Sequence, residues 1–308
     1  MHARPQLPPS WGYSTVAALC YTGPTTVGHA REDVMTQERV TSRDGTPIAS
    51  WRTGDGPLLV LVHGTVSDHS RWAPALPAFE ARHTVHAIDR RGRGASGDAE
   101  DFAIEREFGD VAAVVDSLGE PVNLVGHSYG GLCALEAALL SRNVQALVLY
   151  DPAFEVAGAE LHPPEVVDRL ETSLQAGDRE GVVETTAREV AGQPPEVVAS
   201  MRSQPAWRAR VAAAHTVPRE LRAVKEYRFD PERFRDLAVP TLLLTGSESP
   251  PGYRLAVRAV DEALPDSRVV VMPGQGHGAV DTGTDLFTAE VLRFTGGPWP
   301  DRLPGARA

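Results

Sequence analysis

Lysine is nearly absent from this chain: Lys225 is the only one in 308 residues, and all other basic side chains are arginine. Genome composition accounts for that bias, and no function is read from it. Cysteine is almost as scarce. Cys20 and Cys133 are too few for a disulfide framework, and no C-x-x-C or H-E-x-x-H spacing offers a structural or catalytic metal site. Cys133, in a small-residue stretch just after Ser128, reads as core packing. Positive charge is in deficit: Lys plus Arg number 30 against 41 Asp plus Glu, a net charge of −11. Nucleic acid and anionic membrane both demand a concentrated positive surface, so neither is an expected partner. Long apolar runs are missing as well. Nothing approaches the roughly 18–20 residues that span a bilayer, and the apolar stretch at 16–20 is too short for a secretion signal. Leu19 is also unsuited to precede a lipid-modified cysteine. These absences lead us to expect a cytoplasmic protein that acts on a small molecule. They say nothing about its oligomeric state.

What is present suits a globular enzyme. Hydrophobic residues make up 42% and charged residues 23% of the chain, enough to build a buried core. The length fits one large α/β domain with an insertion, or two modest domains. Residues 1–34 are rich in Pro, Thr and Gly without strand or helix periodicity. They read as an irregular arm, or as a start placed too early upstream of Met35. Asp44-Gly45 then marks a hairpin between strands at 39–42 and 47–52. Nearly continuous apolar runs follow at 58–62, 84–88, 122–125, 146–150, 241–245 and 268–272, the pattern of strands buried on both faces of a parallel sheet. Helical stretches at 72–81, 105–118, 129–141, 254–264 and 284–294 lie between them, so strand and helix alternate as in a doubly wound α/β sheet. The alternation breaks after Tyr150. Amphipathic stretches at 165–175, 180–190, 195–203 and 207–215 suggest a helical lid over the strand C-terminal ends, where open parallel sheets bind ligands. The expected division is a core of 35–154 and 236–296, a lid of 155–235 and a tail of 297–308.

The chemistry centres on Gly126-His-Ser-Tyr-Gly130. A chain of this length meets G-x-S-x-G by accident with odds of roughly one in ten, so the flanks must carry the signal. An apolar strand precedes it and a helix of small residues follows. That order lifts the Ser128 hydroxyl out of the sheet on a strained bend, beside amide groups that favour developing negative charge. A second signal, Val62-His-Gly-Thr65, directly follows another apolar strand.

With Asp89-Arg-Arg-Gly-Arg-Gly-Ala-Ser-Gly97 and Gly274-Gln-Gly-His277, these motifs are in the order and at the spacing of the α/β-hydrolase superfamily, which the chain resembles over residues 38–296. The resemblance implies a mostly parallel eight-stranded sheet flanked by helices, a lid after the sixth strand, and the order Ser, acid, His along the chain. It makes Ser128 the nucleophile and His277, in the Gly-rich loop after the last strand, its general base. It makes the backbone N–H groups of Thr65 and Tyr129 the oxyanion hole. His63 then shapes its loop, and Arg91 and Arg93 hold the turn after the fourth strand. The acid departs from the pattern. After the seventh strand the family usually shows G-x-x-D, whereas here Gly246-Ser-Glu-Ser249 puts serine in that place. Asp151 and Glu248 are the candidates, and Asp151 is favoured because a strand end fixes a carboxylate better than a Ser/Pro-rich loop. Ester hydrolysis through an acyl-enzyme, with no cofactor, is the expected activity. C–C bond or lactone hydrolysis, perhydrolysis, or a non-catalytic binding protein on the same scaffold are the alternatives. Trp207, Tyr227 and Phe229 read as packing within the lid rather than as pocket lining.

Overall fold

The computed structural model describes residues 35–156 and 159–297. The expected arm at 1–34 lies outside the described residues, as does the expected tail beyond 297. The expected hairpin and the six apolar runs form eight strands: β1 (Thr36–Thr41), β2 (Pro47–Thr53), β3 (Leu58–Val62), β4 (Thr84–Ile88), β5 (Val122–His127), β6 (Val144–Tyr150), β7 (Thr241–Gly246) and β8 (Ser267–Met272). They make one sheet in the order β1-β2-β4-β3-β5-β6-β7-β8. β1 and β2 are antiparallel, β2 meets β4 antiparallel, and the other pairs are parallel. Gly45, at φ 87, closes the first hairpin where the Asp-Gly pair anticipates it.

Helices cover both faces, which is why the central strands are apolar throughout. They are α1 (Leu76–Glu80), α2 (Ile104–Ser117) and α3 (Tyr129–Leu140), then, after five inserted helices, α9 (Pro251–Ala263), α10 (Ala279–Thr282) and α11 (Thr284–Thr295). Successive side chains of a strand face opposite ways. Accordingly Val60 and Val62 pack with α2, α3 and α9, while Leu59 and Leu61 pack with Trp72, Phe79 and Phe287. Cys133 is buried in the first of these layers. The single helix expected at 72–81 is instead a 3-10 turn, His69–Trp72, capped by the Asp68 carboxylate, followed by the short α1. Pro74 and Pro77 prevent one continuous helix there.

The insertion comprises α4 (Val166–Gln175), α5 (Arg179–Thr185), α6 (Pro195–Met201), α7 (Trp207–Ala213) and α8 (Val217–Glu226). It has its own apolar cluster, including Val167, Leu170, Val182, Met201 and Trp207. Helix α5 runs on into a π-turn at Thr186–Val190. Helix α8 was not anticipated. Pro218 sits in its first turn, where proline starts a helix rather than ending one. Trp207 packs within the insertion as expected, whereas Tyr227 and Phe229 pack beside Phe154 and Phe108 against the core of the sheet rather than within the insertion.

Buried ions fasten the insertion to the sheet. Arg90, after β4, lies 2.6 Å from Glu107 on α2 and 3.2 Å from Glu220 on α8. Arg93 pairs with Glu220 too and donates to Thr216 Oγ1 at 2.8 Å. Arg91 turns the other way, onto Asp110 and Asp44. Burial pushes the Glu220 carboxyl up, but the Arg90 and Arg93 charges, aided by hydrogen bonds from Arg93 and Thr65, outweigh it and hold it well below the usual range. Among the described residues no helix is long and apolar enough to cross a membrane.

Candidate active site

Ser128 occupies the bend between β5 and α3 at φ 58, ψ −125, a left-handed conformation that is costly for any side-chain-bearing residue. The surroundings enforce it. Ser128 N–H donates to Tyr150 O at 2.9 Å, and Ser128 O accepts from Gly131 N at 2.8 Å and Ala153 N at 3.1 Å. Glycine is required on either side. A Cβ on Gly126 would stand 2.4 Å from Gly130 O, and one on Gly130 would stand 2.3 Å from both Val62 O and His63 O. A Cβ on Gly64 would stand 2.8 Å from that of Ser128. The β3 loop and the bend are thus pressed together.

That contact brings Thr65 alongside Tyr129. Tyr129 opens α3, so its N–H has no intrahelical acceptor. Neither its N–H nor that of Thr65 has a hydrogen-bond acceptor among the described residues. His63 shapes this loop as expected. Its Nε2 accepts from Arg90 N at 3.2 Å, so Nδ1 carries the hydrogen and donates to Gly64 O at 2.8 Å. Burial, with the Arg90 and Arg93 charges, holds its pKa well below the ordinary imidazole value and keeps it neutral.

His277 lies in the loop after β8, 4% exposed, with Nδ1 3.1 Å from Asp151 Oδ2. Asp151 is fully buried at the end of β6, at φ 44. Its N–H donates to Leu244 O at 3.0 Å. Oδ2 also accepts from Ser249 Oγ at 2.6 Å, while Oδ1 has no hydrogen-bond partner among the described residues. Ser249 is the residue in the place where the family usually carries its acid, and here it supports the carboxylate from the neighbouring strand. Glu248 is exposed, and its carboxylate accepts from Ser247 Oγ at 3.1 Å. Of the two candidate acids, only Asp151 meets the imidazole.

Three residues that the sequence did not single out complete the site. Tyr253, in the first turn of α9, stacks on His277 with ring centroids 4.0 Å apart and a 23° interplanar angle. Its hydroxyl donates to Val190 O of the insertion at 3.2 Å. Burial, then the Asp151 charge, raise its pKa, with the nearby Ser128 hydroxyl opposing. Arg71 and Arg210 enter from the 3-10 turn and from α7. Arg210 had one legible signal: it falls three residues after Trp207, on the face of α7 that is otherwise apolar. Behind the site, His127 Nε2 donates to His277 O at 2.9 Å. Its pKa is held well below the ordinary value by burial and then by the charges of His277, Arg71 and Arg210.

Ser128, Thr65, Tyr129 and His277 all open onto one pocket, whose empty space with its mouth is about 910 Å³. Apolar residues of the insertion, among them Val183, Val190, Met201 and Leu221, form its far wall. Among the described residues one group, Asp68, His69 and Asp89, has donor atoms close enough to share a metal ion. Those atoms are already engaged: Asp89 Oδ1 accepts from His69 Nδ1 at 2.7 Å, and Asp68 Oδ1 accepts from Ser70 N at 2.9 Å.

A parallel sheet whose serine-bearing bend and pocket lie at the strand C-terminal ends defines an α/β-hydrolase fold. The chain belongs to the alpha/beta hydrolase family, which it matches over residues 59–290. It is 32% identical to a solved alpha/beta hydrolase of Sphaerobacter thermophilus, covering 82% of this chain and all of that one, with a TM-score of 0.69. It is 27% identical to 2-(acetamidomethylene)succinate hydrolase of Mesorhizobium japonicum, over 78% of this chain and 88% of the relative. A putative carbamate hydrolase of Escherichia coli, RutD, is also 27% identical, over 77% of this chain and 91% of its own length.

Proposed function

We propose that the chain is a serine hydrolase that cleaves a carboxylic ester, or a related acyl bond, of a small to medium substrate through an acyl-enzyme on Ser128. The observation that carries the reading is the buried Asp151 carboxylate 3.1 Å from His277 Nδ1, in a pocket that Ser128 shares. With Nδ1 donating to Asp151, the Nε2 lone pair is left for a proton transfer. Ser128 Oγ attacks the carbonyl carbon as its proton passes to Nε2, and the oxyanion takes the N–H groups of Thr65 and Tyr129. Collapse breaks the bond to the leaving group, which takes the proton from Nε2. Water then gives a proton to Nε2, attacks the acyl carbon, and releases the acid as Oγ recovers its proton. Asp151 orients the ring and stabilises the imidazolium without itself being protonated. The helical insertion acts as the lid, excluding water and selecting the substrate. The names of the relatives keep acyl bonds to nitrogen within range of the same machinery.

Labelling with a fluorophosphonate, beside turnover of short p-nitrophenyl esters, tests this. Wild type is expected to label at Ser128 and to turn over at least one ester, and Ser128→Ala to do neither. Equal inactivity of both proteins across all chain lengths, with no labelling, would overturn the proposal.

A further inference from the structure

The apolar pocket is interrupted by two guanidinium groups, Arg71 and Arg210, only 6% and 8% exposed. Arg71 Nη1 lies 2.7 Å from Asp281 Oδ2, yet the pair is not aligned as a hydrogen bond. The Arg210 side chain has no ion pair or hydrogen bond among the described residues, and its Nε is buried without a partner. The charged residues lining the pocket are these two arginines and Asp281, so two cations share one lining carboxylate, and the nearby Asp68 carboxylate is bonded to Ser70.

A buried cation without its own counter-ion is costly. The fold treats its structural cations differently: Arg90 and Arg93 each reach Glu220, and Arg90 also reaches Glu107. Nor does packing call for Arg210, because an aliphatic residue on the buried face of α7 would serve the helix better. Burial, followed by the nearby Arg71 charge, pushes its pKa down to about 10, with Asp281 and Asp68 opposing only in part. The group is therefore still charged at neutral pH and under-compensated. The site is also near the chemistry, since the charges of Arg71 and Arg210 both act on His127, the neighbour of Ser128.

We propose that Arg210, assisted by Arg71, is an anion subsite of the catalytic pocket, and that the substrate cleaved at Ser128 carries a carboxylate joined to its acyl carbon by a short apolar spacer. This rests on the hydrolase reading above. A planar carboxylate matches the guanidinium fork and supplies the missing counter-charge. The apolar wall accommodates the spacer.

The test pairs the p-nitrophenyl monoester of glutaric acid with p-nitrophenyl valerate, two acyl chains that differ chiefly in the terminal carboxylate. Wild type is expected to favour the anionic ester in kcat/KM. Arg210→Met is expected to lower the ratio of the two values by about 10- to 100-fold, with Arg210→Lys in between. Without ligand, Arg210→Met should melt at or above wild type, since it removes an uncompensated buried charge. A second arm does not need turnover. Monomethyl glutarate should raise the Tm of Ser128→Ala protein and should lose that effect when Arg210→Met is added. A wild-type ratio at or below one, or a ratio unchanged by Arg210→Met, overturns the subsite even if both esters are hydrolysed. If neither ester is hydrolysed, fluorophosphonate labelling and the wider ester series judge the hydrolase reading, and the thermal shift alone decides the subsite: no shift overturns it.

Discussion

Replacing Asp151 by Asn separates a charge-bearing partner of His277 from a merely space-filling one. The backbone tolerates the change, because φ 44 at this position is a conformation in which Asn, like Asp, is enriched. The amide has two orientations. With its oxygen in the place of Oδ2, it keeps the hydrogen bonds from His277 and Ser249, but the NH2 group is buried where Oδ1 now has no partner. With its nitrogen there, one hydrogen points at His277 Nδ1 and the other at the Ser249 hydroxyl, which can accept it. The second arrangement buries fewer unsatisfied donors, each worth about 1–3 kcal/mol. It also forces the hydrogen of the imidazole onto Nε2, the wrong tautomer for a base. We therefore expect kcat to fall on the order of 10⁴-fold, about 5.4 kcal/mol of transition-state stabilisation. Glu248→Gln, an exposed group bonded to Ser247, should change kcat by less than about twofold. The assay is steady-state hydrolysis of a p-nitrophenyl ester with active sites counted by fluorophosphonate, beside the Tm of each variant. Retention of activity within tenfold by folded Asp151→Asn, or a matching loss in Glu248→Gln, would refute the assignment of Asp151.

Two further outcomes follow from buried charge. Glu220→Gln leaves Arg90 with Glu107 alone and takes from Arg93 its one ion pair among the described residues, and breaking such a cluster costs about 3–5 kcal/mol, a fall of roughly 6–15 °C in Tm by calorimetry; a change under 2 °C would show that the cluster does not fasten the insertion. His63 and His127 are held neutral by burial, with pKa values well below the ordinary 6.5. The unfolded chain binds their protons first as pH falls, so their contribution is complete above pH 6.5 and is lost below it, at up to about 1.4 kcal/mol per pH unit for each. Denaturant unfolding at pH 7.5, 6.5 and 5.5 should show a flat segment and then a decline, and equal stability at pH 7.5 and 5.5 would contradict the neutral assignment.

The centre of the sheet was legible because its strands are short, nearly continuous apolar runs bounded by turn residues, and burial on both faces leaves little room for another reading; the polar edge strand β1 was legible only through the Asp44-Gly45 turn beside it. The Ser128 bend was legible because a strained turn between strand and helix demands glycine at 126 and 130, and the close approach of the next loop demands it at 64. What stayed hidden depends on contacts between segments far apart in the chain. The choice between Asp151 and Glu248 turns on which carboxylate the fold buries against His277, and no local pattern states that. Ser249 is informative only in this light: a serine where a carboxylate is usual looks like a lost acid, yet its hydroxyl donates to the carboxylate one strand away. Arg210 is the harder case. In a chain with one lysine, an added arginine carries no compositional signal, and its place on an apolar helical face marks it as buried without saying against what. Its missing counter-ion can be recognised only once α7 has been laid over the pocket. The positions hardest to read here are those where the fold brings a polar group into a pocket without a partner among the described residues, because a contact that the chain does not make leaves no pattern in its sequence.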